Sequence, residues 1–202
     1  MCCGCVRVAS LVPGINHWQG PHPRDSELAL PRTIMSIVHG IKQLGVLGAG
    51  QMGTGIAFVS AVRAKVPVLL HDSSPTQLTR AQTFLSTLLS KDVSKGRLTP
   101  TEAAEAKDRV RVVDTLVAMR DVDMVVEAVS EQVELKKRVF RGLRETLNEE
   151  AILASNTSSI SITKIAAATV PEGVSASSVE GLRAASRVVG ERWAVVGIRV
   201  GC

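Results

Sequence analysis

Aromatic side chains are nearly absent from this sequence, which has three Phe, two Trp and no Tyr among its 202 residues. A hydrophobic core must therefore be built from Val, Leu, Ile and Ala, as is typical of parallel α/β folds with aliphatic strands. The net charge of +5 is spread along the chain without a basic arm, and few rings are available to stack on bases. These features together argue against nucleic-acid binding.

Cysteine is absent from the whole central part of the chain, since the four cysteines are Cys2, Cys3, Cys5 and Cys202. This distribution gives neither a disulfide framework nor a second ligand pair for zinc, so we expect a reduced intracellular protein with no metal site. No apolar run approaches the roughly 18 residues of a membrane span, and we expect no membrane partner.

Residues 1–40 lack a hydrophobic pattern and contain many prolines and glycines, which predicts a disordered or wrongly assigned leader. No acidic residue precedes Arg24, as in a mitochondrial presequence. We therefore expect the mitochondrial matrix as the compartment, with the cytoplasm as the alternative.

Apolar runs and amphipathic segments alternate between residues 42 and 168. The apolar runs predict five strands, in IKQLGVL and at 66–72, 109–113, 122–129 and 151–155. Helical spacing and helix-start residues predict helices over 52–64, from Pro75 to a break at Gly96, from Thr101, and over 132–147 and 160–168. This order is typical of a doubly wound, Rossmann-like parallel sheet, so we assign 41–169 to one nucleotide-binding α/β domain.

The first predicted strand is followed by the sequence GAGQMG, which predicts a dinucleotide site. Glycines at this spacing let the chain turn sharply, approach a pyrophosphate and pack a helix closely on the strand. The second strand ends at Asp72, where an acid meets the adenosine ribose. Its charge would repel a 2′-phosphate and no arginine follows directly, so NAD is favoured over NADP. The residues assigned to cofactor binding here are Gly48, Gly50, Gln51, Met52, Gly53 and Asp72.

Polar residues follow the fourth and fifth predicted strands, where open α/β sheets bind ligands. Glu127 and Glu131 lie near this crevice, although Glu131 is equally consistent with an acid that starts a helix. The Lys-Lys-Arg run at 136–138 is consistent with a solvated helix face. The run SNTSS at 155–159 either caps the next helix or contacts substrate and nicotinamide.

Taken together, these segments resemble the 3-hydroxyacyl-CoA dehydrogenase family, which includes 3-hydroxybutyryl-CoA dehydrogenases. The matching stretches occur in family order over about 42–169 and are LGVLGAGQMGTGIA, LLHD, SKGRLT, VVEAVSE, ELKKRVF and ILASNTSSISIT. The resemblance implies an NAD-dependent oxidoreductase of fatty-acid β-oxidation that oxidises the 3-hydroxyl of an acyl-CoA. It argues against another Rossmann dehydrogenase, such as the 3-hydroxyisobutyrate type.

The resemblance also implies roles for individual residues. The glycines would hold the pyrophosphate, and Asp72 would hold the adenosine ribose. Glu131 and Lys136 would lie along the nicotinamide half of the cofactor. Ser158 would contact both substrate and cofactor, and Lys95 would meet the CoA moiety of the acyl-CoA.

The general base of the family is missing. In the family it is a His in a His-Phe-Phe-Asn-Pro strand shortly after the SNTSS segment, and it is needed because hydride leaves C3 only as the hydroxyl proton is removed. The histidines here are His17, His22, His39 and His71, and the helical second domain that closes over acyl-CoA and forms the family dimer is also absent. We therefore expect impaired catalysis or, alternatively, a non-catalytic NAD-binding fragment.

Residues 170–202 do not match the family and show no clear period before the apolar stretch RWAVVGIRV at 192–200, which could form an edge strand. Two interpretations of this tail stay open. It derives either from a shifted frame, retained intron or faulty gene model, which we favour, or from a genuine truncated isoform.

Overall fold

The structure, a computed structural model, describes residues 40–190. The strands are β1 (Leu44–Leu47), β2 (Val68–His71), β3 (Val110–Val113), β4 (Met124–Glu127), β5 (Ile152–Ser155) and β6 (Val188–Val189). The helices are α1 (Gln51–Val59), α2 (Pro75–Ser94), α3 (Pro100–Asp108), α4 (Val133–Thr146), α5 (Ile162–Ala167) and α6 (Val179–Ser186). A π-helical turn, Ser60–Ala64, continues α1, and a 3₁₀ turn, Leu116–Met119, precedes β4.

The strands form one parallel sheet in the order β3-β2-β1-β4-β5-β6, which confirms the predicted doubly wound α/β fold. The order reverses between β1 and β4, and ligands bind beyond the strand ends at such a reversal. Leu47 pairs with His71 on one side and Glu127 on the other, and Glu127 pairs with Ser155. The carboxyl ends of four neighbouring strands therefore meet at one edge of the sheet.

Helices cover both faces of the sheet, as strands with aliphatic side chains on both faces require. On one face, Val46, Val68 and Val126 belong to a cluster with Ala57 of α1 and Leu78 of α2. The opposite face carries a second cluster formed with α4 and α5, which includes Leu69, Val125, Leu153, Phe140, Leu143 and Ile165.

Capping residues set the starts of two helices. The Ser74 side chain accepts a backbone hydrogen bond at the start of α2. Thr99 and Glu102 form a capping box, so α3 begins at Pro100, one residue before the predicted Thr101.

The segment after α5 is more ordered than its sequence pattern predicts. It forms α6 and the edge strand β6, which pairs in parallel with β5. Ser178 caps α6, and the hydroxyl of Thr169 donates to the carbonyl oxygen of Ala184 at 3.0 Å. Val179 and Leu182 of α6 are 85% and 57% exposed. Because a capping serine and a hydrogen bond from Thr169 contact this helix, and two of its large apolar side chains are exposed, hydrophobic periodicity gave no sign of it.

Two predictions, the leader before Gly40 and the strand at 192–200, lie outside the described residues. Within 40–190, no helix combines the length and apolar character needed to cross a bilayer. The same part of the chain contains no group of three or more His, Cys, Asp or Glu side chains placed to hold a metal ion.

Candidate functional site

The turn after β1 leaves no room for a side chain at two of its three glycines. Gly48 has a φ of +104°, and a Cβ there would lie 2.6 Å from the carbonyl oxygen of Ala128. A Cβ at Gly53 would lie 1.8 Å from the carbonyl oxygen of Gly48. Gly48 therefore makes the sharp turn against the end of β4, and Gly53 lets α1 pack closely onto that turn.

Gly50 leaves open space where a phosphate group would lie. No heavy atom outside the local backbone comes within 4 Å of a Cβ built at Gly50. Gly50 begins α1 without a side-chain cap, so the first N–H groups of the helix have no intrahelical acceptors. The side chains of Gln51 and Met52 are exposed in this first turn. Free N–H groups at the positive end of a helix dipole bind anions, so the turn fits the pyrophosphate of a dinucleotide.

Asp72 is held beside this turn by two hydrogen bonds. Its Oδ2 accepts the N–H of Ala49 at 2.8 Å, and its Oδ1 accepts the N–H of Ser74 at 2.9 Å. The half-buried carboxylate lines the same cleft as Gly48 and Gly50. A carboxylate here can accept ribose hydroxyls and repels a 2′-phosphate, which fits NAD.

The cleft beyond the strand ends has a volume of about 510 Å³, within the size range of small-molecule sites. The glycine turn and the loop after β2 form part of its wall. The remaining wall comes from the 3₁₀ turn, the loop after β4 and α4, and includes Leu116, Val129, Ser130, Leu135, Arg138, Val139 and Gly142.

A fully buried ion pair joins the strand ends next to this cleft. Lys136 Nζ lies 2.8 Å from Oε1 and 2.9 Å from Oε2 of Glu127, and neither side chain has exposed surface. Glu127 also accepts the N–H of Val129 at 2.7 Å and the hydroxyl of Ser155 at 2.6 Å. One carboxylate thus connects the end of β4, the end of β5 and the first turns of α4.

The Lys136 ammonium group is buried beside the cleft and does not line it. Its expected place along the nicotinamide half of the cofactor stays a prediction. Besides Glu127, the ammonium group lies 3.1 Å from Glu131 and 3.5 Å from the carbonyl oxygen of Asn156. A buried ammonium is costly unless it is paired and hydrogen-bonded, and these groups provide that pairing. Lys136 thus holds Glu127 and Glu131 in place at the ends of β4 and of the loop that follows it.

Glu131 fixes the loop after β5. Its Oε1 accepts hydrogen bonds from the hydroxyl of Thr157 and, at 2.9 Å, from the hydroxyl of Ser159. Burial raises the pKa of Glu131, but hydrogen bonds from Thr157, Ser159 and Lys136 outweigh it and lower the pKa to about 2. The carboxylate is therefore ionised at neutral pH and holds the loop as a charged acceptor.

Ser158 lies between the two residues whose hydroxyls Glu131 binds. Its side chain is exposed and makes no hydrogen bond to any other residue of 40–190. The backbone is thus held on both sides of a hydroxyl group that is free for a ligand.

Lys95 is not brought to this site. It follows the last residue of α2, a helix of 20 residues that begins three positions after Asp72. Lys95 therefore lies roughly 30 Å along the helix axis from the ribose end of the cleft. It does not line the cleft.

Thr157→Val tests the hydrogen bonds on Glu131. Without this donor, the pKa of Glu131 should rise towards its ordinary value of 4.5. A native pKa below the unfolded value stabilises the fold above the unfolded pKa, and that stability is lost as the pH falls from about 4.5 to about 2. In the variant the lowered pKa of Glu131 contributes less stability, so less is lost on acidification. The difference in free energy of unfolding between wild type and variant should therefore become smaller from about pH 6 to about pH 3.

The matched control for this pH experiment is Thr163→Val, at an exposed threonine of α5. Its free energy of unfolding, measured in urea, should stay at a constant difference from wild type. A Thr157→Val difference that does not change with pH would contradict the role of Thr157 in keeping Glu131 ionised.

Two features of the site escaped sequence reasoning. The pairing of Glu127 with Lys136 depends on how α4 lies against the sheet, and the Lys-Lys-Arg run was consistent with a solvated face. The available signal was an acid at the end of an aliphatic strand, because a buried carboxylate needs a partner. Arg138, expected on that solvated face, is exposed as predicted, but it also lines the cleft, which the sequence did not indicate.

The sequence of this chain matches a known family profile and is similar to two groups of curated proteins. The sequence profile described as 3-hydroxyacyl-CoA dehydrogenase, NAD binding domain, matches residues 43–174. The fatty acid oxidation complex subunit alpha of Pseudomonas entomophila is 45% identical over 132 residues, which are 65% of this chain and 18% of that protein. The 3-hydroxybutyryl-CoA dehydrogenase of Bradyrhizobium diazoefficiens is 43% identical over 129 residues, 64% of this chain and 44% of that protein.

Solved structures give the same result. The 3-hydroxybutyryl-CoA dehydrogenase of Escherichia coli K12 is similar with a TM-score of 0.64 and 35% identity, covering 74% of this chain and 29% of that chain. The present chain therefore spans less than half the length of these relatives. The matched profile includes the glycine turn, Asp72, the Glu127–Lys136 pair and Ser158, and it ends before α6.

Proposed function

Because the chain belongs to the 3-hydroxyacyl-CoA dehydrogenase family and carries its NAD-binding domain, we propose that it binds NAD for the interconversion of 3-hydroxyacyl-CoA and 3-ketoacyl-CoA. The observation that carries this proposal is that the glycine turn and the fixed Asp72 line one cleft at the carboxyl ends of the strands. The exposed Ser158 follows the end of β5, which pairs with β4 at the same edge of the sheet. The names of the relatives, a 3-hydroxybutyryl-CoA dehydrogenase and a fatty acid oxidation complex subunit, supply the substrate class.

Different residues of the site bind the cofactor and orient the substrate. The N–H groups at the start of α1 bind the pyrophosphate and Asp72 binds the adenosine ribose, so the nicotinamide end extends towards β4 and β5. When bound, NAD supplies the hydride acceptor. Ser158 donates a hydrogen bond to the 3-oxygen of the substrate, and Glu131 keeps the Ser158 loop in place.

Removal of the 3-hydroxyl proton also needs a general base. Among residues 40–190 the histidine is His71, whose Nδ1 lies 2.9 Å from the carbonyl oxygen of Val113 at the adenosine end, next to Asp72. No histidine follows it in the sequence. We infer that residues 1–202 bind NAD but turn over little or no substrate without a base from elsewhere.

The test measures NADH binding and turnover separately on the purified chain. NADH should bind, as seen in its fluorescence, while acetoacetyl-CoA should cause no NADH oxidation above background. Gly50→Ala is the binding control, because its φ of −69° suits alanine and no neighbouring atom obstructs the methyl group. This variant should fold as wild type but bind NADH about tenfold more weakly or worse, because the methyl group occupies the pyrophosphate space.

Each outcome bears on a different part of the proposal. Absence of NADH binding to the wild-type chain would refute it, and rapid NADH oxidation would refute the need for a further base. Calorimetry distinguishes the proposed dehydrogenase site from the alternative, a non-catalytic NAD-binding fragment. If the dehydrogenase site is formed, the complex of the chain with NADH should bind acetoacetyl-CoA. If the chain binds only the cofactor, acetoacetyl-CoA should not bind.

A further inference from the structure

Helix α4 presents one stripe of residues to the cofactor cleft. The stripe consists of Leu135, Arg138, Val139 and Gly142. Their spacing of three and four positions places them on one side of the helix. The side next to it, with Phe140 and Leu143, is buried against the sheet. Arg138 therefore lies at the edge of the cleft and not on the outer face of α4.

The Arg138 side chain is exposed and has no hydrogen bond or ion pair with another residue of 40–190. Two other cations of the same helix are paired, since Lys137 contacts Glu134 at 2.8 Å and Arg144 contacts Glu145 at 3.0 Å. Arg138 attracts the carboxylate of Glu134 one turn earlier but makes no hydrogen bond to it, so both faces of its planar guanidinium remain available to a ligand in the cleft.

We propose that the Arg138 guanidinium stacks on the adenine ring of bound NAD. Asp72 places the adenosine ribose in the cleft, so the attached adenine must occupy the adjoining part of the same space. That part is walled by the apolar side chains of Leu116, Leu135 and Val139, which suit a flat ring. This inference rests on NAD binding in the cleft, as proposed above.

Position favours stacking over a phosphate contact. The pyrophosphate belongs at the start of α1 beside Gly50, whereas Arg138 is carried by α4. A 2′-phosphate would be repelled by Asp72, which lines the cleft together with Arg138. Over an aromatic ring, a guanidinium gains cation–π and stacking energy and loses little hydration. The same side chain that looked like part of a solvated face is then a determinant of cofactor affinity.

The test compares three replacements of Arg138 in the full chain, using NADH fluorescence and competition by ADP-ribose. Arg138→Ala should weaken both ligands about three- to thirtyfold. Arg138→Tyr should restore most of the affinity, because a phenol ring stacks without a charge. Arg138→Lys should restore little, because an ammonium group has no flat face. Arg141→Ala, at an exposed arginine of α4 that does not line the cleft, is the matched control and should bind as wild type.

Three results would overturn the stacking role. Restoration by lysine and not by tyrosine would show a phosphate contact, and equal affinity of wild type and Arg138→Ala would show no contact. A loss in Arg141→Ala as large as in Arg138→Ala would show only a general effect of helix charge. If the wild-type chain does not bind NADH, the proposed function itself is refuted, and the stacking role with it. Circular dichroism of each variant should match that of the wild type, because the Arg138 side chain is exposed.

Discussion

Gly53→Ala is expected to prevent stable folding of the chain. The added Cβ would lie 1.8 Å from the carbonyl oxygen of Gly48 and 3.5 Å from the Cβ of Ala128. The obstructing atom is backbone, so no side-chain rotation can relieve the overlap. Separating α1 from the turn should cost more than the about 1–3 kcal/mol of ordinary overpacking. Against a total stability of roughly 5–15 kcal/mol, urea unfolding should show a strongly lowered midpoint or no folded baseline.

Gly55→Ala is the matched control for this clash. Gly55 lies in the same helix, and a Cβ there has no other atom within 4 Å. Alanine is the better helix former by about 1 kcal/mol, so this variant should be as stable as wild type or more stable. Equal midpoints for Gly53→Ala and wild type would show that α1 does not need to approach the turn so closely.

Lys136→Met should cause the second large loss of stability. The substitution keeps the length of the side chain but leaves the Glu127 carboxylate fully buried without its cation. The carboxylate retains only the N–H of Val129 and the hydroxyl of Ser155. Removing one partner of a buried pair typically costs about 3–5 kcal/mol, which urea unfolding would measure directly.

The neighbouring lysine provides the comparison. Lys137 pairs with Glu134, whose side chain is 71% exposed, and such surface pairs contribute only about 0–1 kcal/mol. Lys137→Met should therefore be nearly neutral. Adding Glu127→Gln to Lys136→Met removes the unpaired charge and should recover part of the lost stability. A Lys136→Met variant as stable as Lys137→Met would show that the buried pair contributes little.

The parts of the fold that sequence predicted are those with strong local signals. The aliphatic runs gave β1 to β5, because a buried parallel strand admits little else. The glycine spacing and the distance to Asp72 predicted the geometry of the turn, since each position has its own steric reason.

The parts that sequence missed depend on contacts distant in the chain. In α4 the apolar residues include Val133, which is 38% exposed, while Lys136 is fully buried. The helical pattern does not predict that a lysine is buried while a valine is exposed, because the burial of Lys136 depends on its contact with Glu127 of β4. The Arg138 position likewise follows from the packing of α4 beside the cleft, and β6 follows from pairing with β5 and not from its own two residues.

The two hydrogen bonds of Asp72 have a consequence for protein engineering. Removing this acid would be the direct way to admit NADP, because its charge repels a 2′-phosphate. Here the same carboxylate also fastens Ala49 of the glycine turn to Ser74 at the start of α2. Loss of the acid would loosen the pyrophosphate turn while it admits the 2′-phosphate. Asparagine at position 72 would keep only one of the two bonds, because its amide has a single acceptor oxygen. A redesign therefore has to supply a second acceptor for the N–H of Ala49 or of Ser74 if the loop is to stay in place.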